Sequence, residues 1–324
     1  MNSANTDSIT AGTIDYADGI SAIDTGFFRP KFDASHLLIE NGHAAFIDVG
    51  TNHSIPRLLA ALEEKHIPVD AVEYVILTHV HLDHAGGAGA LMQQLPRARL
   101  IVHPRGARHM IDPAQLIAGA TAVYGAEEIQ RSYGTLVPVD AARVDIANDG
   151  HIVNLGGREL LCLDTPGHAR HHISIHDARS QAFFPGDTFG LSYREFDTPN
   201  GAFILPTTTP VQFDPDALHA SINRMLGYAP QQMFLTHYSR VSKVEKLAGD
   251  LHECIDALVG IAQTHAGEAQ RHERIMESMS GFFVNRARAH GCTIDDARIL
   301  ELLSMDLELN TQGLEVWLDR QNAA

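Results

Sequence analysis

The chain has 324 residues, enough for one large domain with an appendage, and carries 40 acidic against 24 basic residues, a formal charge of −16 with histidine neutral. So acidic a surface disfavours nucleic acid and anionic membranes as partners, and no apolar run approaches the roughly 18 residues of a membrane span. Cys162, Cys254 and Cys292 lie far apart without a C-x-x-C pair, so no disulfide framework is expected and a reducing cytoplasm is the expected location.

In chain order, residues 1–12 read as a loose tail with neither a signal-peptide nor an anchor pattern. Short strands are predicted from Thr13 to Ile23 and from Leu37 to Ile47, with turns at Asp18-Gly19 and Asn41-Gly42. Ile55 to Lys65 reads as an amphipathic helix in which Leu58, Leu59 and Leu62 share a face. The apolar run Tyr74-Val75-Ile76-Leu77 then leads through Thr78 into His79-Val80-His81-Leu82-Asp83-His84, followed by a helix over Ala88–Gln94 and a strand at Arg99–His103. Residues 105–135 read as an irregular helical insert bearing Met110, Leu116, Ile117, Tyr124, Ile129 and Tyr133, placed either as a lid or against the sheet. Segment 191–210 has three prolines and no regular period, so it is the expected substrate-contacting loop.

From Ser242 the pattern becomes helical. Val244–Gln263 has apolar spacings of three and four, and a second helix lies between Gly267 and Gly291. A third is expected over Ala297–Leu309 behind an N-cap at Thr293-Ile294-Asp295-Asp296, with Leu314–Leu318 in a fourth. The organisation expected is therefore a tail, a catalytic domain over 13–241 and a helical domain over 242–324. That helical domain either caps the site or buries its apolar face in a homodimer. The strand and helix alternation predicts an α+β fold, a four-layer αββα sandwich with two sheets face to face.

Three imidazoles and a carboxylate within six positions suit zinc, and also iron or manganese. Leaving a strand, His79 and His81 point the same way, and a turn into helix redirects Asp83 and His84, so one loop can serve two ions. Other ligand-type residues also follow short apolar runs: Asp48, His168, Asp187 and His237. Donors at strand exits converge on one edge of a sheet.

The series H-x-H-x-D-H, T-P-G-H, P-G-D and L-T-H resembles the metallo-β-lactamase-fold hydrolases, nearer the glyoxalase II and lactonase-like branch, across roughly residues 13–240. The resemblance implies that His79, His81 and His168 bind one metal, that Asp83, His84 and His237 bind a second, and that Asp187 bridges them. It places Asp48 behind the metal loop as its support. It implies two divalent ions, zinc before iron or manganese. Gly167-His168-Ala169-Arg170-His171-His172 departs from the branch's G-H-T-x-G-H, and His172 alone keeps the second histidine's position. His171 and His172 are expected near the ligands, not among them.

Two cations sharing a water give a bridging hydroxide as nucleophile, and one of them polarises the carbonyl under attack. The expected activity is hydrolysis of a small-molecule ester, thioester or lactone. Asp83 is the candidate to receive the proton, and Tyr193 or Tyr238 to donate to the oxyanion. Arg194 or Arg170 are candidates to meet an anionic group, and Asn285, Arg286 and Arg288 to reach substrate from the helices. The alternatives on this fold are a mononuclear iron persulfide dioxygenase using His79, His168 and Asp187, a phosphodiesterase, and a metal-stabilised binding module.

Overall fold

The computed structural model describes residues 12–323, with Val123, Tyr124 and Ala323 described by their backbone alone. The expected tail thus lies, apart from Gly12, outside the described residues, as does the side chain of Tyr124. The chain divides into two compact units: the first runs to Ala147 and takes in Ile152–Leu160, and the second holds Asn148–His151 and everything from Leu161.

The first unit is built on a seven-stranded sheet whose spatial order follows the sequence: β1 (Thr13–Asp15), β2 (Ile20–Asp24), β3 (Ala34–Glu40), β4 (His43–Ile47), β5 (Val72–Ile76), β6 (Arg99–Val102) and β7 (Val144–Ile146). The first four run antiparallel. Between β3 and β4 the pair Glu40↔His43 leaves only Asn41-Gly42 in the turn, both at positive φ (49° and 82°). Asparagine and glycine tolerate that conformation, so this dipeptide sets the hairpin register. From β4 onward the pairs are parallel. Their crossovers carry helices α1 (Ile55–Glu64), α2 (Leu82–Ala85), α3 (Ala88–Gln94), α4 (Pro104–Ile111), α5 (Ala114–Tyr124) and α6 (Ala126–Tyr133). Leu58 and Leu62 of α1 are buried with Phe46, Val75, Leu91 and Leu100, while Leu59 is only half-buried at the edge of this core. Within the 105–135 insert, Met110, Ile129 and Tyr133 are buried, whereas Leu116 and Ile117 are half-buried. Asn52 ties the insert back by donating to the carbonyls of Tyr133 (3.1 Å) and Thr135 (2.6 Å).

His36 on β3 is buried, and burial lowers its pKa from the ordinary 6.5 to about 4 against the opposing pull of Asp48. The unfolded chain therefore takes up a proton near pH 6.5 that the folded chain refuses until about pH 4. Stability is expected to fall as pH drops through this window. A His36→Gln variant should show a flatter acid branch in denaturant-unfolding free energy measured between pH 7 and 4.

The second unit contains most of a six-stranded sheet in the order β13-β12-β11-β10-β9-β8, with β8 at His151–Leu155, β9 at Arg158–Asp164, β10 at Ile173–Asp177, β11 at Ala182–Phe184, β12 at Gln232–Leu235 and β13 at Ser239–Ser242. Helix α7 (Pro215–Leu226) connects β11 to its parallel neighbour β12. After β13 come α8 (Val244–His265), α9 (Arg271–His290), α10 (Asp296–Leu302) and α11 (Ser304–Ala323). The helices from Val244 onward belong to the same unit as β10–β13 and are not a unit of their own. Helix α11 is joined to the 193–208 segment of the same unit by polar ties at Asp306 and Asn310. The expected third helix stops at Leu302, and α11 restarts at Ser304 and includes Leu314–Leu318. Asp295 supplies the cap, accepting the Arg298 N–H at 2.8 Å. No described helix is long and apolar enough to cross a membrane.

Candidate metal centre

In the first unit the parallel pairing Ile47↔Ile76 sets the ends of β4 and β5 side by side, so Asp48 emerges next to the metal loop. Asp48, buried, accepts the Thr78 backbone N–H at 2.8 Å, the Thr78 hydroxyl at 2.8 Å and the Nδ1–H of His84 at 2.8 Å. With its proton at Nδ1, His84 keeps a lone pair on Nε2. The Thr78 hydroxyl, having donated to Asp48, accepts from His79 Nδ1 at 3.1 Å, which puts the His79 proton on the outer nitrogen and a lone pair on Nε2. That atom lies 2.9 Å from His81 Nδ1, so the two imidazoles converge on a common point. His81 caps α2 in an extended conformation, and Asp83 and His84 follow in its first turn. That change of direction separates the two pairs as the strand-to-helix spacing predicts.

In the second unit three ligand-type residues leave β9, β11 and β12. His168 lies with Nδ1 3.4 Å from the Thr207 carbonyl, the acceptor that places its proton there, and with Nε2 3.5 Å from Asp187 Oδ2. His237 Nε2 stands 3.8 Å from the other oxygen, Asp187 Oδ1. The two oxygens of one buried carboxylate thus face two different imidazoles. His172 is fully buried behind them: its Nε2 accepts the Asp187 backbone N–H at 3.2 Å, and its Nδ1–H is shared between the hydroxyls of Thr165 (3.0 Å) and Thr188 (3.2 Å). Imidazole nitrogens with outward protons and inward lone pairs, together with carboxylates, are a donor set that fits a divalent ion of zinc type.

The family model for the metallo-beta-lactamase superfamily matches residues 30–237, more than half of the chain. The chain belongs to that superfamily. A solved archaeal metallo-beta-lactamase superfamily protein from Sulfolobus tokodaii aligns over 92% of this chain and 99% of its own, with a TM-score of 0.64 at 22% identity, a likeness of fold. A hydroxyacylglutathione hydrolase of Salmonella paratyphi A is 26% identical over 231 residues, 67% of this chain and 75% of the relative. An acyl-coenzyme A thioesterase of Homo sapiens is 27% identical over 191 residues, 52% of this chain and 63% of the relative. The α+β fold with C-terminal helices expected from the sequence is the one the chain adopts.

Against this superfamily frame, the other candidate residues fall in different places. Tyr193 is fully buried and its hydroxyl donates to both carboxylate oxygens of Asp306 on α11, each at 3.1 Å. Tyr238 is buried beside His237, with its backbone N–H on the Ser192 carbonyl at 3.3 Å. Arg194 curls back onto the Ser192 carbonyl at 2.7 Å and pairs with Asp197 at 3.3 Å, and the Arg170 N–H donates to Gln212 at 2.6 Å. Arg286 pairs with Asp250 and Glu253, Arg288 holds Asp296 and the Ile294 carbonyl, and Asn285 is exposed. Segment 191–210 is packed rather than open: Leu191 bridges to Leu205, and Phe196, Phe203 and Ile204 are buried.

Sequence reasoning missed Asn310. Buried on α11, it accepts the Thr208 N–H at 2.6 Å on its side-chain oxygen, and its backbone carbonyl accepts the Thr208 hydroxyl at 3.0 Å. It thereby fixes the strand of chain whose Thr207 carbonyl orients His168. No residue-type signal marks this contact, because any residue at 207 offers the same carbonyl.

Proposed function

We propose that the chain is a cytoplasmic, dinuclear zinc hydrolase that cleaves a small-molecule ester, thioester or lactone. The observation that carries the reading is Asp187, whose two oxygens face His168 and His237 separately, the disposition of a carboxylate shared by two ions. In this reading, which rests on the superfamily's motif series, His79, His81, His168 and Asp187 serve one ion, and Asp83, His84 and His237 the other. When bound, two such ions lower the pKa of a water and polarise an acyl oxygen.

The protein's own groups have the remaining tasks. Asp48, Thr78 and the Thr207 carbonyl hold imidazole protons on the outer nitrogens. Asp83, with its side chain 25% exposed, is the group placed to take a proton from the attacking water and return it to the leaving group. A cysteine nucleophile is disfavoured on physical grounds: burial pushes the thiols of Cys162 and Cys254 up to about 12, so neither is a thiolate near neutral pH. The two relatives whose names denote a thioesterase and an acylglutathione hydrolase support acyl substrates, thioesters foremost.

Elemental mass spectrometry of protein purified without added metal is the test, paired with an ester, thioester and lactone panel. Two zinc ions per chain and turnover of an acyl substrate are expected. One iron per chain, with oxygen uptake on a persulfide, would overturn the reading.

A further inference from the structure

Away from the ligand set, two histidines meet between α7 and α8. His219 Nδ1 lies 2.6 Å from His252 Nδ1, with the rings roughly stacked at a centroid distance of 4.8 Å. The far nitrogen of each ring is engaged reciprocally. His219 Nε2 reaches Asp256 at 3.1 Å, four residues beyond His252 on α8. His252 Nε2 reaches the side-chain oxygen of Asn223 at 3.2 Å, four residues beyond His219 on α7. A carboxylate and an amide oxygen accept hydrogen bonds, which favours the tautomer with a proton on each Nε2. The two Nδ1 atoms lie at hydrogen-bond distance, so in the tautomer with both protons on Nε2 their lone pairs face each other and the contact is relieved either by a shared proton or by a cation that takes its place. The same device, an outer acceptor fixing the tautomer and raising ligand basicity, is what orients metal-binding histidines.

We propose that His219 and His252 form a second cation site, separate from the candidate metal centre, which takes one borderline divalent transition-metal ion (Zn2+, Ni2+ or Cu2+) through the two Nδ1 atoms and clamps α7 to α8. Nitrogens about 2.0–2.1 Å from a tetrahedral ion stand about 3.3 Å apart, so the two side chains need to part by less than about 1 Å. His219 is 25% exposed, and both rings sit where solvent ligands can complete the coordination. The rival occupant is a shared proton. Burial, and after it the facing His219, hold the His252 pKa below the ordinary value against the opposing pull of Asp256, which disfavours a second proton on that ring. The clamp acts on a helix already joined to the chain entering His168, since Ser221 on α7 donates to the Pro166 carbonyl at 2.6 Å and the Asp214 N–H to the Gly167 carbonyl at 2.8 Å.

The test uses the zinc-loaded full chain, with Cu2+ added in equivalents and followed by electron paramagnetic resonance alongside zinc content. One copper per chain with two-nitrogen coupling and no zinc released is expected. His219→Ala and His252→Ala, with His252→Gln as the gentler variant, should each lose this copper while keeping the zinc and the hydrolytic rate of the parent. Asn223→Ala should weaken it by about tenfold or more. Copper that displaces zinc, fails to bind in stoichiometric amount, or binds the histidine variants as tightly as the parent would overturn the proposal. Because zinc content and turnover are followed separately, failure here leaves the hydrolase reading standing, and the reverse also holds.

Discussion

Asp187→Ala protein is expected to lose affinity for both ions at once and to fall by about 10³-fold or more in kcat/KM, since charge stabilisation by a single positioned group is worth about 10²–10³. The double loss follows from geometry. Oδ2 stands 3.5 Å from His168 Nε2 and Oδ1 3.8 Å from His237 Nε2, so one truncation strips a donor from each side. Truncating a histidine from only one group, as in His79→Ala, should release mainly one ion. The comparison needs metal content and turnover on the same preparations. Full retention of metal and rate by Asp187→Ala would remove the shared-carboxylate assignment. His171→Ala, at a buried residue outside both ligand groups, should keep both ions.

Gly313→Ala carries the largest expected cost to stability. A methyl group there would sit 1.5 Å from the Thr208 carbonyl oxygen and 2.6 Å from its carbon, backbone atoms that cannot rotate aside. Helix α11 would have to withdraw, breaking the bonds between Asn310 and Thr208 and leaving the buried Thr208 N–H without its acceptor. Overpacking and an orphaned buried donor together predict a loss of about 3 kcal/mol or more. Denaturant unfolding should show it as a lowered midpoint, and metal affinity should fall in parallel because the Thr207 carbonyl that holds His168 moves with the loop. Gly281→Ala on α9 is the matched control. Its methyl would meet nothing within 4 Å, so the change should be neutral or stabilising by up to about 1 kcal/mol. Equal effects at the two positions would contradict the close-approach account.

Parts of this were open to sequence reading because their causes are local. Asn41-Gly42 sets a hairpin by its own backbone preferences, and the spacing from His79 to His84 encodes a strand exit followed by a helical turn. Asp48 and His172 could be singled out through resemblance to known hydrolases; Asp48 accepts from His84, and His172 accepts the Asp187 N–H. What stayed hidden depends on partners distant in the chain. Tyr193 reads as a candidate oxyanion donor until Asp306 is seen to accept its hydroxyl, 113 residues on. The break between Leu302 and Ser304 and the grouping of the helices with β10–β13 are likewise set by packing and polar ties, which periodicity does not report.

The pairing of Asn310 with Thr208 also bears on how far the molecule can be cut down. A fragment ending before Ser304 would still carry every candidate ligand named above and would match the same family model over residues 30–237. It would nevertheless have an open, rehydrated seat under the loop that steers His168, and Tyr193 would face water where Asp306 had been. Shuffling the final helix between relatives, or trimming it to obtain a minimal catalytic core, therefore amounts to editing the coordination chemistry from a distance.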